Sequence, residues 1–274
     1  MISSLSRPQK SLYVSVLFLL YAGAALADGM GSDPLSATDD DNGFTVLSNA
    51  TNVTKWGIGA GVGVREEPYK NYGAKVLPLP IFFFDDKWIH VAGTNVDLKL
   101  AKWNGVSVQL RGAYEWGNAY TGADSSALAG MHNRKGGIWF GPAAEWRTSF
   151  GTLSGSFMTG ANKGQQADLR FGKELEYGTF SVEPYAAVEW LSHKYVDYYY
   201  GVSQSEVRPG RSEYTGKAAE NFTVGTRVSY KLAPHQLVSF DLGVTRLGSS
   251  IYDSPIVGKR YTPKLGLAYL YQFQ

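Results

Sequence analysis

The sequence predicts an all-β chain: a transmembrane antiparallel up-and-down β-barrel of about 12 strands, with 10 as the alternative count, following a cleaved signal peptide. The first observation behind this is a two-residue alternation. In Thr262 to Phe273, Leu265, Leu267, Tyr269, Tyr271 and Phe273 share one face while Lys264, Gly266, Ala268 and Gln272 share the other. Successive strand side chains point to opposite sides, so one face is apolar and the other polar. The same pattern sets Val106, Val108, Leu110, Tyr114 and Trp116 against Ser107, Gln109, Arg111 and Glu115. It also sets Phe222, Val224, Val228 and Tyr230 against Asn221, Thr223, Arg227 and Ser229. A soluble sandwich would bury the apolar faces against each other, whereas a membrane barrel turns them to lipid and keeps charge in its lumen.

The second observation is the start of the chain. Arg7 and Lys10 precede an apolar run from Leu12 to Leu26 and the small-residue site Ala25-Leu26-Ala27, the layout of a secretory signal peptide. The run is shorter than the roughly 20 residues that a spanning helix needs. The third is aromatic content of 14%, with 18 Tyr and 7 Trp. Trp56, Trp88, Trp103, Trp116, Trp139, Trp146, Trp190, Tyr269 and Tyr271 fall near strand ends, where membrane–water girdles form.

Three regions follow: a signal peptide over 1–27, a flexible polar leader on the periplasmic side over 28–54, and the barrel over 55–274. Asp39, Asp40 and Asp41 mark the leader's polarity. The expected strands are 56–65, 75–85, 87–101, 105–116, 136–149, 151–161, 166–177, 179–191, 195–203, 219–232, 235–247 and 262–273. The first alternates Trp56, Ile58, Ala60, Val62 and Val64 with Gly57, Gly59, Gly61 and Gly63. Those glycines either leave room in the lumen or relieve crowding in a curved wall. Tight turns fall at Asp85-Asp86, Asn104-Gly105, Phe150-Gly151, Tyr177-Gly178 and Pro234-His235. Longer connections are 66–74, 117–135, 204–218 and 248–261. With both chain ends in the periplasm, strand parity puts 117–135 on that same side. A short helix over Ala123 to Met131, capped by Asp124 or Ser125, is expected there.

Several chemistries are excluded. There is no cysteine, hence no disulfide, thiolate nucleophile or Cys-type zinc site. Removing Arg7 and Lys10 from a chain of net charge +2 leaves the signs balanced, which gives no electrostatic case for nucleic acid. His90, His132, His193 and His235 are scattered and form no metal-ligand spacing or catalytic motif, so no cofactor, metal or enzymatic site is expected. The lumen charges Asp97, Lys99, Arg111, Glu115, Glu145, Arg147, Asp168, Arg170, Glu174, Glu183, Glu189, Arg227, Lys231 and Asp241 carry both signs in similar numbers. They predict a ladder of cross-strand pairs and a narrow or closed bore.

Several motifs run in order along the chain: Gly59, Gly61 and Gly63; Val76-Leu77-Pro78-Leu79-Pro80; Leu128-Ala129-Gly130; and Asp197-Tyr198-Tyr199-Tyr200-Gly201-Val202. Tyr214, Leu247-Gly248 and Asp253-Ser254-Pro255-Ile256-Val257 complete the set. In these the chain resembles the family of MltA-interacting and OmpV-type outer-membrane proteins. The resemblance implies a non-enzymatic protein of the outer membrane of a Gram-negative bacterium, in contact with membrane lipid and lipopolysaccharide. One such protein is a scaffold joining a lytic transglycosylase to a murein synthase; others are porin-like or adhesin-like. The leading expectation is therefore periplasmic docking through 28–54 and 117–135, with Asp124, Leu128, Gly130 and Met131 as contacts. A small porin is the alternative. Adhesion through Arg208, Arg211, Glu213, Tyr214, Lys259, Arg260 and Tyr261 is a third.

Overall fold

The computed structural model describes residues 42–115 and 118–273; the expected signal peptide, most of the expected leader and Trp116 lie outside the described residues. Fourteen strands occur among them. The wall is made of β2 (Lys55–Glu66), β3 (Ala74–Asp85), β4 (Ile89–Ala92), β5 (Asn95–Trp103), β6 (Val106–Glu115), β7 (Gly137–Thr148), β8 (Gly151–Thr159), β9 (Gln165–Gly172), β11 (Phe180–Leu191), β12 (Ala219–Ala233), β13 (Gln236–Arg246) and β14 (Tyr261–Gln272). Each pairs antiparallel with its neighbours, β14 pairs with β2 and β5 with β6, so these twelve close into a ring. Closure pairs most of the backbone groups that lipid could not satisfy. Two short strands lie off the ring: β1 (Gly43–Phe44) against β5, and β10 (Leu175–Tyr177) against β11.

The outer face carries the apolar stripe. Ile58, Leu110, Ile138, Phe140, Leu169, Val224, Leu242 and Leu267 are all exposed, while inward neighbours such as Asp97, Arg170, Arg227 and Asp241 are buried. Around the end where the chain enters and leaves the wall, Trp56, Trp88, Trp103, Trp146 and Phe273 form a belt. Trp56 and Phe273 stack at 4.1 Å across the first and last strands. Trp139 departs from the girdle reading: it points inward, is fully buried and packs on Tyr195. A Cβ on Gly59 would overlap the Tyr269 carbonyl oxygen, and those on Gly57 and Gly61 would lie 2.6 and 2.7 Å from carbonyls of β14. The glycines thus permit close approach of the closing strands rather than opening space in the lumen.

Two strand assignments are corrected, and their errors cancel in the count. The expected strand 87–101 is a hairpin, split at Gly93, whose φ of 61° suits a tight turn. The expected strand 195–203 is instead helix α1 (His193–Tyr200). The Ser192 side chain accepts from the Tyr195 N–H to cap it, and Tyr195, Val196, Tyr199 and Tyr200 form its buried face. Splitting the one and removing the other shifts parity between them. The connection around 118–136 therefore sits with the other long connections, at the end opposite the chain termini. Tyr69 donates to the Asn118 carbonyl and Asn71 to Ser126. Ala123 to Met131 folds as successive turns, with Asp124 accepting from the Thr121 N–H, and not as a helix.

The short β4 has two consequences. On the terminus side β5 runs past it, and residues 42–52 fill the vacancy. Gly43 and Phe44 pair with Lys102 and Ala101, Asn42 accepts from the Asn104 N–H, and Asn52 accepts from the Lys87 N–H. This part of the leader is pinned to the wall, unlike the flexible segment expected. On the other side, the Ala74–Ile81 edge of β3 has no partner strand among the described residues. The Phe82 carbonyl on that edge receives Gly93, so Pro80 and Pro78, two and four residues away, face the same way and present no N–H to be left unpaired.

Candidate functional site

The long connections fold inward over the loop end of the barrel as a cap with its own apolar core. Tyr69, Tyr120, Leu128, Met131, Trp139, Tyr195, Val196, Tyr199, Tyr200, Ile251, Ile256 and Val257 are all buried in it. Tyr69 lies 4.8 Å from Tyr120 and 5.8 Å from Tyr200, so rings from three connections meet at one point. Helix α2 (Ser249–Tyr252) contributes Ile251. The family-motif residues build this cap. Asp197 accepts from the Gly216 N–H, Tyr199 donates to the Lys135 carbonyl, and Gly201 closes α1 by donating to the Asp197 carbonyl. Tyr214 donates to the Ser250 carbonyl and Ser254 to that of Tyr200; Asp253 and Pro255 lie in the turn between them.

One carboxylate ties two connections together. Glu206, with 1% exposure, accepts from the Ser203 N–H and hydroxyl at 3.0 and 2.8 Å and from the His132 N–H at 2.8 Å. It takes Arg134 on both oxygens at 3.1 Å. Burial alone would raise its pKa. The backbone and hydroxyl donors and the Arg134 guanidinium outweigh that and hold it down at about 2. Arg211 donates to the carbonyls of Glu206, Ala127 and Ala129, and Arg208 to those of Ala129 and Ser126. Lys259 likewise bonds Glu66 and the Glu67 and Tyr72 carbonyls. These three basic residues, expected as an adhesive surface, are turned inward to hold backbone. The expected partner contacts are also structural: Leu128 and Met131 are buried, and Gly130 takes a φ of 79° beside Arg211.

Beneath the cap, the lumen is crossed by a belt of ion pairs. Arg111 donates twice to Asp97 at 2.7 Å from the directly opposite register position, and Arg170 pairs with Glu183 at 2.8 Å. Arg227 reaches Glu183 at 3.3 Å and Asp241 at 3.4 Å, and Lys264 approaches Asp241 at 3.7 Å. Tyr185 stands in the middle, donating to Asp241, with the Arg170 guanidinium 4.4 Å from its ring. Cβ atoms on Gly225 and Gly243 would collide with that tyrosine, so the two glycines make its space. Lys99 pairs with Asp85, and Arg147 with Glu145 near the terminus rim, where Glu174 and Lys231 are exposed. Glu115, Asp168 and Glu189 face the bore above the belt and accept from Gln166, Ser156 and Asn221 respectively. The pairs Arg65–Glu67 and Lys264–Asp241 were not singled out from sequence; Lys264 was readable as inward-facing, Arg65 only through its strand's alternation.

The belt divides the remaining space. An upper cavity, partly open to solvent, lies between it and Tyr195 and Tyr200 of the cap. A lower one is lined by Gln109, Glu145, Ser154, Glu174 and Ser229 toward the terminus end. Among the described residues no group of three or more His, Asp or Glu side chains is placed to hold a metal, and no helix is long and apolar enough to cross a membrane.

Residues 58–273, nearly the whole wall and its cap, match the family described as MltA-interacting protein MipA. The chain belongs to that family. It is 29% identical over 229 residues to the MltA-interacting protein of Escherichia coli K12, an alignment covering 80% of this chain and 90% of that protein. It is 28% identical over 167 residues to outer membrane protein Omp26La of Vibrio anguillarum, covering 59% and 65% respectively. A further match is OmpV of Vibrio cholerae, at 27% over 160 residues, covering 57% and 62%. Among solved structures, the COG4313 outer membrane channel from Pseudomonas putida F1 aligns with a TM-score of 0.42 at 10% identity, covering 85% of this chain and 98% of that one. This MipA-family chain is an outer-membrane β-barrel of the Gram-negative type.

Proposed function

We propose that this MipA-family barrel is a non-enzymatic scaffold that docks murein-processing enzymes, a lytic transglycosylase and a murein synthase, at the terminus end of the barrel. Barrels of this kind keep short turns in the periplasm and longer loops outside, which puts the chain termini on the periplasmic side. The observation that carries the reading is the strap over residues 42–54. It is pinned to the terminus rim by strand pairing and side-chain bonds, yet leaves Phe44, Val46, Leu47 and Val53 between 59% and 80% exposed. Apolar side chains held outward on a fixed backbone suit a protein partner. Family membership supports the same reading, since the E. coli relative is named for its interaction with MltA. The 118–136 connection plays no part in it, because it lies at the opposite end.

The test is co-purification from detergent-solubilised membranes of the intact protein and of Val46→Asp/Leu47→Asp. The expected result is that murein enzymes accompany the first and not the second, while both retain the heat-modifiable gel migration of a folded barrel. Equal recovery would contradict docking at the strap.

A small-porin role is the second reading, favoured by the two lumen cavities and opposed by the cap and the belt. Adhesion has less support, since Arg208, Arg211 and Lys259 are committed to backbone carbonyls.

A further inference from the structure

At the loop end, on the side formed by β7, β8, β9 and β11, two cationic side chains stand over one tyrosine and two more lysines lie on the turns beside it. The Arg134 guanidinium lies 5.8 Å and the Lys163 ammonium 5.6 Å from the Tyr198 ring. The Tyr198 hydroxyl accepts from the Lys135 N–H at 3.1 Å. Lys194 opens α1 against the same turn: its Cβ lies 3.1 Å from where a Cβ on Gly164 would be. Arg134 is committed to Glu206. Lys135, Lys163 and Lys194 have no acidic partner within ion-pair distance among the described residues, and Lys135 and Lys194 are exposed.

Three features fix the height of this cluster. The β8–β9 connection spans only 160–164, so Lys163 sits at the rim of the wall and not on a tall loop. Lys135 lies two residues before β7, and Lys194 three after β11. Directly below, Ile138, Phe140, Phe157 and Leu169 project outward with 44% to 69% exposure. Cations at the headgroup level over a lipid-facing apolar wall match an amphiphile with a phosphorylated head and several acyl chains. Of the nearby carboxylates, Glu206 is buried beneath Arg134 and Asp197, though exposed, accepts from the Gly216 N–H.

We propose that Lys135, Lys163 and Lys194, arranged around Tyr198, bind the glucosamine phosphates of lipopolysaccharide in the outer leaflet. Each lysine near an anionic headgroup contributes roughly a fivefold factor in affinity, so the three together supply about a hundredfold.

The probe is diphosphoryl lipid A added to the full chain in phosphatidylcholine nanodiscs, with retention read by native mass spectrometry. Expected is retention by the unchanged protein and by Lys70→Gln, whose lysine lies on the connection between β2 and β3, and a loss of about a hundredfold in Lys135→Gln/Lys163→Gln/Lys194→Gln. The corresponding triple Arg variant should retain the lipid. Dephosphorylated lipid A should bind the unchanged protein as weakly as diphosphoryl lipid A binds the triple Gln variant, an arm that stands even should that variant fail to fold. Equal retention of the dephosphorylated lipid would overturn the proposal. So would displacement of lipid A by inorganic phosphate at millimolar concentration, which would point to a free-phosphate site.

Discussion

The two ends of this barrel are built by opposite physics. At the loop end, four connections bury a continuous core of tyrosines and aliphatic side chains around Tyr69, Tyr199 and Leu128, with one carboxylate, Glu206, as the polar tie. Halfway down the bore the order inverts, and one tyrosine, Tyr185, is embedded among Arg170, Arg227, Lys264, Glu183 and Asp241. Burying apolar area is the larger stabilising effect, whereas paired charges roughly balance their desolvation. The cap is therefore the element that carries the stability of the loop end and the belt the element that shapes the bore. A cap that blocks the loop end would leave the accessible interior facing the chain termini.

That contrast makes the cap the sensitive end. Trp139→Ala, which removes a fully buried side chain beneath α1, should cost about 4 kcal/mol of cap stability and expose residues 193–216 to protease on intact cells. Glu206→Gln should cost about 3 kcal/mol, since Arg134 is left without its charged partner in a confined site; the readout is faster hydrogen exchange at Ser203 and His132, both of which donate to that carboxylate. The same group sets a pH dependence. Its folded pKa of about 2 lies below the unfolded carboxylate value, so its contribution is complete above roughly pH 4.5 and lost as pH falls toward 2. Relative to the intrinsic exchange rate at each pH, exchange at those two amides should accelerate through that window in the unchanged protein, and Glu206→Gln should abolish the change. The smallest effect belongs to the belt: Tyr185→Phe should cost about 1 kcal/mol through the lost bond to Asp241 and leave the seal intact, as measured by protease resistance of 193–216.

The faces of the strands were legible because a period of two has no competing explanation in Val106 to Glu115 or Thr262 to Phe273. Cross-strand charge pairing was legible for the same reason, as Glu183 opposite Arg227 opposite Asp241 shows. The cap was not. Tyr195 to Val202 is rich in residues that favour strands, and its helical face, Tyr195, Val196, Tyr199 and Tyr200, exists only because tertiary packing rewards it. Ser192 was the available local signal, a cap residue immediately before the run. At Gly93-Thr94 a two-residue turn pairs Ala92 with Asn95, so the outward positions change from Ile89 and Val91 to Val96 and Leu98; that change of phase, with Gly93, was the signal that the expected single strand is a hairpin. Those two errors restored the count of twelve and moved the 118–136 connection to the wrong end. The separation between a buried Leu128 and an exposed docking residue depended on that parity alone.

The most direct test of the sealed-cap account is planar-bilayer conductance of the unchanged protein beside a Trp139→Ala/Tyr199→Ala variant. The account predicts no ohmic steps from the first and resolvable steps from the second, because the belt narrows the bore without closing it. Steady steps of equal size from both would contradict it.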